Sequence, residues 1–223
     1  PGSTFKPIIA VAALEEGVIG LNDTVNCTGI YKEITPALRC WIYPGQHGPL
    51  DVVHGIQNSC NVFFSEMGHR LSMDENGNYS PELGIEKIRK YASMFGLDET
   101  SGIEIAEREP QMTTEKPEAS SIGQGKNSYS NIQLSRYITA VANKGTVFKL
   151  SLLDKMTDSQ GNLLKDFTPE VRSTIDVKDS TWNAVHTGMR RVISDGSARK
   201  IFSDLEVDIA GKTGTAEEIK NGH

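Results

Sequence analysis

No stretch of this sequence holds the roughly 18–20 consecutive apolar residues that cross a bilayer, so no membrane-spanning helix is expected within it. Positive charge is not in excess. Lys and Arg number 23 against 29 Asp and Glu, a formal net charge of −6. With no basic cluster, no aromatic RNP-like pattern and no zinc-finger spacing, nucleic acid is excluded as a partner. Internal repeats and low-complexity segments are absent. So are an initiating methionine and a signal peptide. The first reactive-looking serine stands only two residues from the start, where a native chain would fray. The sequence therefore reads as a fragment cut at both ends. Cysteine is scarce: Cys27, Cys40 and Cys60. An odd count lets one pair bridge and leaves one thiol.

What is present describes an ordinary soluble globular protein, 37% apolar and 23% charged over 223 residues, enough for one large domain or two small ones. Helical periodicity dominates. A buried helix is expected from Ser3 to about Gly17 or Gly20, because 8–14 is apolar nearly all round. Residues 21–25 read as a short extended piece, and 27–49 as a long structured loop rich in Gly and Pro. Helices follow over 51–57 and 62–71, separated by Asn58-Ser59-Cys60-Asn61. A third covers 83–95, stopped by Gly96. The polar span 98–121 reads as irregular. A helix over 130–143 should turn Ile132, Ile138, Val141 and Ala142 inward. Strands are expected over 147–156 and 163–167, joined by a hairpin loop at 158–162. The helix over 180–193 should bury Trp182, Val185, Met189 and Val192. The segment 207–217 reads as a strand, and 217–223 as a hairpin turning at Asn221-Gly222. Helices outnumber strands, and the strands gather late, which indicates an α+β class.

Three short motifs could carry chemistry. In Pro1-Gly2-Ser3-Thr4-Phe5-Lys6, one helical turn sets a lysine amine over a serine hydroxyl. A helix N-terminus favours developing negative charge, and a desolvated lysine can act as a base. Spacing alone does not decide, since Ser197-Ala198-Arg199-Lys200 has the same pattern. Ser59-Cys60-Asn61 places a hydroxyl and an amide in a break between helices, which is also common turn composition. Lys212-Thr213-Gly214-Thr215 sets a lysine and two threonines along an extended segment. Its glycines admit a close backbone, a layout suited to a carboxylate; a guarded edge strand would look the same.

Taken in order, S-x-x-K, S-x-N and K-T-G form the motif set of penicillin-recognising serine acyltransferases. The context agrees: P-G-S-T-F-K at the start, Ile122-Gly123-Gln124-Gly125 followed by Gln133-Leu134, then Gly188-Met189, and A-G-K-T-G-T-A-E from Ala210. The whole chain closely resembles the transpeptidase domain of a monofunctional, class B penicillin-binding protein. Ser130-Asn131 stands where Thr-Pro is usual, and Ser197 where threonine is common.

The resemblance implies a penicillin-binding and serine β-lactamase-like fold, a helical subdomain with a central antiparallel sheet. Residues 1–223 would form a partial transpeptidase domain, lacking N-terminal strands and the C-terminal strands and helix. It implies a peptidoglycan D,D-transpeptidase that works through an acyl-serine on D-Ala-D-Ala stem peptides and is acylated by β-lactams. Ser3 would be the nucleophile and Lys6, kept neutral by burial and by Lys212, the base. Ser59 would relay a proton to the leaving amine, and Asn61 would orient Lys6 and the substrate. Thr213, Gly214 and Thr215 would hold the substrate with Lys212 supplying charge, and the N–H groups of Ser3 and Thr215 would form the oxyanion hole. A glycosyltransferase partner in a cell-wall synthesis complex, and a place on the extracytoplasmic face of the membrane behind an N-terminal anchor, are expected likewise. No cofactor is needed for catalysis. Alternatives are a β-lactam sensor and a serine β-lactamase, the latter needing a base such as Glu104, Glu107, Glu109, Glu115 or Glu118.

Cys27, Cys40, His47 and Cys60 fall in one irregular region leading to the second motif. Four such ligands suit tetrahedral Zn²⁺ of structural type, with Asp51 and His54 as substitutes. A Cys27–Cys40 disulfide and three buried thiols are the other readings.

Overall fold

The computed structural model describes residues 1–215. The expected hairpin at 217–223 and the end of the 207–217 strand lie outside them.

The chain opens with a 3-10 turn, Gly2–Phe5, that runs into helix α1, Lys6–Glu15. Pro7 falls in the first turn of α1, where its missing N–H leaves no bond unmade. Every residue from Lys6 to Leu14 is buried, as an apolar circumference demands. Helix α1 is the central post of the molecule. Helices α2 (Val52–Gln57), α3 (Asn61–Leu71), α4 (Pro81–Met94) and α7 (Asp179–Ser194) all pack against it. Asp51 caps α2 by accepting from His54 N–H, Ser80 caps α4 through Leu83 N–H, and Cys60 Sγ takes the same place at α3 through Phe63 N–H.

Helix α6, Asn131–Ala142, begins with a complete capping box between Ser130 and Gln133. Its inner face is not the expected one. Gln133, Arg136, Tyr137, Ala140 and Val141 are buried, whereas Ile138 and Ala142 are exposed. The reason is a charge used inside. Arg136 donates to the carbonyls of Gly96, Glu99 and Thr100, tying α6 to the end of α4, and that rotates the helix away from the purely apolar stripe. Short helices α5 (Pro117–Ser120) and α8 (Arg199–Phe202) complete the set. Of these α5 interrupts the span read as irregular.

The strands form four separate two-stranded antiparallel ladders among the described residues, not one central sheet. Two of them structure the region read as a loop: β1 (Val25–Cys27) with β4 (Gly48–Leu50), and β2 (Ile30–Tyr31) with β3 (Leu38–Arg39). The expected strand over 147–156 divides. Its first part, β5 (Thr146–Lys149), pairs with β8 (Glu170–Thr174); its last part, β6 (Lys155–Thr157), pairs with β7 (Leu163–Asp166) across the expected hairpin loop. Strand β8 has Val171 as its one apolar residue and gave no alternation to read. Among the described residues, 207–215 join no ladder. Extended backbone becomes a strand only with a partner, and here Gly211 N–H bonds instead to Met189 O of α7.

Candidate active site

The 3-10 turn improves on the geometry read from the sequence. Side chains at i and i+3 eclipse in a 3-10 helix, so Ser3 and Lys6 project to the same side. Lys6 is fully buried, with its ammonium 5.6 Å from the centre of the Phe64 ring. Among the described residues its hydrogen bonds run to Ser59 O (2.8 Å), Ser59 Oγ (3.3 Å) and Asn61 Oδ1 (2.7 Å) rather than to Ser3. Burial lowers its pKa to about 7.

Ser59 sits in the left-handed region, φ 50°, where non-glycine residues are strained. The turn is held by Ser59 N–H to Ile56 O and Cys60 N–H to Gly55 O at the end of α2. The strain has a result: it points the Ser59 carbonyl and hydroxyl together at Lys6. From the other side Lys212 Nζ donates to the same Ser59 Oγ (2.7 Å) and to Thr213 O (3.0 Å). Burial, and then the charge of Lys6, lowers the Lys212 pKa to about 6. The expectation that Lys212 holds down Lys6 is thus adjusted. Burial is the cause at Lys6, and the repulsion between the two registers at Lys212.

The three motifs therefore converge. Lys6 and Ser59 are 53 residues apart in sequence, and Ser59 and Lys212 are 153 apart. Close backbone approach makes this possible at two glycines. A Cβ on Gly214 would lie 2.6 Å from Thr4 Cγ2, and one on Gly123 would lie 1.9 Å from Gly2 O. Gly123, with φ +77°, also accepts from Gly2 N–H at 3.1 Å. Tyr137 of α6 adds a bond from its hydroxyl to Thr4 O (3.0 Å). Gly2 and Thr4, the residues flanking Ser3, are thereby fixed from two sides.

Two further residues join this site without a role assigned from the sequence. Ser197, the serine of the second S-x-x-K match, stands with its Oγ 3.2 Å from Thr213 Oγ1, so it joins the third motif instead of acting as a first. Trp41, more than half exposed, donates from Nε1 to Asn58 O (2.8 Å), beside the strained turn. The glutamates considered as a hydrolytic base serve the 98–121 segment: Glu104 accepts from Ser151 and Leu152 N–H, and Glu107 from Ser101 and Ser130.

The cysteines are also brought together. Pairing of Cys27 with Gly48 in the β1–β4 ladder carries His47 to Cys27, and the β2–β3 ladder delivers Cys40, just past β3, whose N–H bonds to Gly29 O. Cys60 comes from the cap of α3. The four ligand atoms lie within 4.8 Å of one another. His47 Nδ1 is 3.5 Å from Cys27 Sγ and 3.6 Å from Cys40 Sγ, and Cys40 Sγ is 3.9 Å from Cys60 Sγ. Zinc bonds of about 2.3 Å to sulfur and about 2.0–2.1 Å to nitrogen give tetrahedral edges of about 3.8 Å between sulfurs and about 3.6 Å from sulfur to nitrogen. The three observed edges fit. All three thiols are free, which removes the disulfide. The bond between Cys40 and Cys60, with His47 assisting, lowers the Cys40 thiol; that bond and burial raise Cys60. Asp51 and His54 are not in this cluster; they bond to each other at 2.8 Å, and His54 Nε2 meets Arg191.

Comparison with known proteins agrees in fold. A family model described as the penicillin binding protein transpeptidase domain matches residues 1–223. Stage V sporulation protein D of Bacillus subtilis is 29% identical over 231 residues, covering 100% of this chain and 33% of its own. The peptidoglycan D,D-transpeptidase MrdA of Escherichia coli is 29% identical over 236 residues, covering 97% and 35%. The chain thus spans about a third of the length of these curated relatives. Among solved structures, a peptidoglycan synthase complex described as coordinating polymerization and crosslinking superposes with TM-score 0.85 at 25% identity, over 99% of this chain and 37% of that one. Pseudomonas aeruginosa PBP2 in complex with WCK 5153 gives 0.78 at 26%, over 97% and 50%.

Proposed function

The chain belongs to the penicillin-binding protein transpeptidase family, and from that premise we propose that residues 1–223 act, as part of one transpeptidase domain, in peptidoglycan D,D-transpeptidation through an acyl-serine at Ser3. The single observation that carries this is the sharing of one hydroxyl, Ser59 Oγ, by two buried-site lysines, Lys6 and Lys212. Such a pair keeps one amine neutral near pH 7, as a base must be.

In this reading Ser3 Oγ attacks the penultimate D-Ala carbonyl. Lys6 takes the serine proton, and Ser59 passes a proton to the leaving D-Ala amine. The substrate carboxylate lies against Ser197, Thr213 and Thr215. Its charge draws the shared proton to Lys212 and leaves Lys6 free. Asn61 Oδ1 holds the Lys6 amine, and the N–H groups of Ser3 and Thr215 receive the oxyanion, each such donor contributing about 3 kcal/mol in serine enzymes. β-Lactams enter by the same attack and stay as adducts.

The cysteine cluster supports a structural Zn²⁺ held by Cys27, Cys40, His47 and Cys60. When bound it would pin the turn that carries Ser59 and Asn61, since Cys60 lies between them; the acyl transfer itself runs on the side chains above. Elemental analysis of protein purified without added metal tests this. Relatives known as a synthase complex and as a complex of PBP2 with MreC support a glycosyltransferase-containing cell-wall partner. The family resemblance carries the further proposal of an extracytoplasmic site of action at the membrane. No described helix is long and apolar enough to cross a membrane.

The test is covalent labelling. The full-length protein should bind one penicillin, seen by intact mass, and Ser3→Ala should bind none. A full-stoichiometry adduct in Ser3→Ala would end the assignment.

A further inference from the structure

Beside the motif cleft lies a groove of about 1650 Å³, between the 34–39 loop, the start of α4 and the 114–125 segment. Asn61 and Gly125 lie on its wall, so it adjoins the reacting centre. Asn61 is the only residue of the three motifs that lines it; Lys212, Thr213 and Gly214 do not. Its volume exceeds the several hundred Å³ typical of small-molecule sites, and is too large for a D-Ala-D-Ala terminus alone. The floor is apolar at Ile85 and Ile122, and charges of both signs stand at the edge. Glu82 and Glu86, exposed and one turn apart on α4, line it together with Arg39, Arg89 and Lys116. An apolar floor with separated charges of both signs suits a peptide bearing a free amine and a carboxylate.

Resting on the transpeptidase reading, we propose that this groove binds the acceptor stem peptide and delivers its side-chain amine past Asn61 to the acyl-enzyme. The approach fits the proton traffic. The donor's leaving carboxylate belongs on the Lys212–Thr215 side, so the second peptide needs another entry. A nucleophile arriving along the groove passes the side chain that holds Lys6, whose Nζ is 2.7 Å from Asn61 Oδ1. The amine nitrogen bonds to the acyl carbon, the carbon–Oγ bond of Ser3 breaks, and the amine proton passes to Lys6 and back to Ser3 Oγ. Glu82 and Glu86 steer the amine's charged form into the groove before it reaches the base.

The experiment is a partition assay on the full-length protein, with a soluble D-Ala-D-Ala pentapeptide donor and a tripeptide acceptor bearing a free side-chain amine. The double variant Glu82→Gln/Glu86→Gln should raise the acceptor KM roughly fivefold, the range of two partly screened ion pairs, and lower the ratio of cross-linked to hydrolysed product alike. The difference should shrink as salt is raised, and Glu82→Asp/Glu86→Asp should restore most of the loss. Free D-Ala as acceptor, too short to reach α4, should partition the same in both proteins. An unchanged tripeptide KM, or a rise in the donor KM instead, would overturn the proposal. If the parent protein takes up no penicillin at Ser3, it is the active-site reading that fails.

Discussion

A lysine that serves as base in the free enzyme must show itself in the pH dependence of Ser3 acylation. Lys6 ordinarily would lose its proton near 10.5, and burial brings that to about 7. The fall represents roughly 5 kcal/mol of lost preference for the ammonium form. Its sign is fixed by the cause: desolvation disfavours the charged amine, so the neutral base accumulates as pH rises through about 7. At pH 5 about one Lys6 in a hundred is neutral; above pH 8 nearly all are. The second-order rate of penicillin acylation reports the free enzyme's groups. It should therefore climb about tenfold per pH unit from 5 towards 7 and level off by about pH 8, a span of about a hundredfold. Intact-mass time courses at fixed penicillin, from pH 5 to 9, measure it directly. An ordinary lysine would keep the rate climbing through pH 9. A rate flat from pH 5 to 8, or falling as pH rises, would refute Lys6 as the base.

Three further outcomes are expected. Gly123→Ala inserts a Cβ where Gly2 O stands 1.9 Å away, on a backbone with φ +77°; the resulting shift of Ser3 should cost about a hundredfold in acylation rate, read by mass spectrometry with circular dichroism to confirm the fold. His47→Ala and Cys27→Ala should each lower bound zinc from about one per chain towards none by elemental analysis, whereas a parent protein with no zinc and three titratable thiols would dismiss the metal. Ser130→Ala removes the cap of α6, including the 3.2 Å bond from Gln133 N–H, and should lower stability by about 1 kcal/mol, seen as a lower urea midpoint with unchanged slope.

Most helices were legible because their signals are local. The apolar run of α1, and the amphipathic period of α4 with its stop at Gly96, act within a few residues of chain. The errors arose where a distant partner overrode the local pattern. Arg136 reached the end of α4 and turned α6, so Ile138 faces out. Strand β8 formed because β5 was there to receive it, and among the described residues 207–215 join no ladder, Gly211 N–H bonding to Met189 O of α7. Ser197 looked like a rival nucleophile until packing set it against Thr213.

The sequence by itself determined the family, the α+β class and the identity of the three motifs, since residue types and short spacings are properties of the chain alone. Only the tertiary structure decided that Lys6 and Lys212 meet on one hydroxyl, that burial rather than a neighbouring charge tunes Lys6, and that four ligand atoms from β1, the 40–47 loop and the α3 cap form one tetrahedral-sized cluster. The physical reason is the same in each case. Desolvation and convergence depend on which surfaces pack together across fifty to a hundred and fifty residues of chain, and no local spacing encodes that.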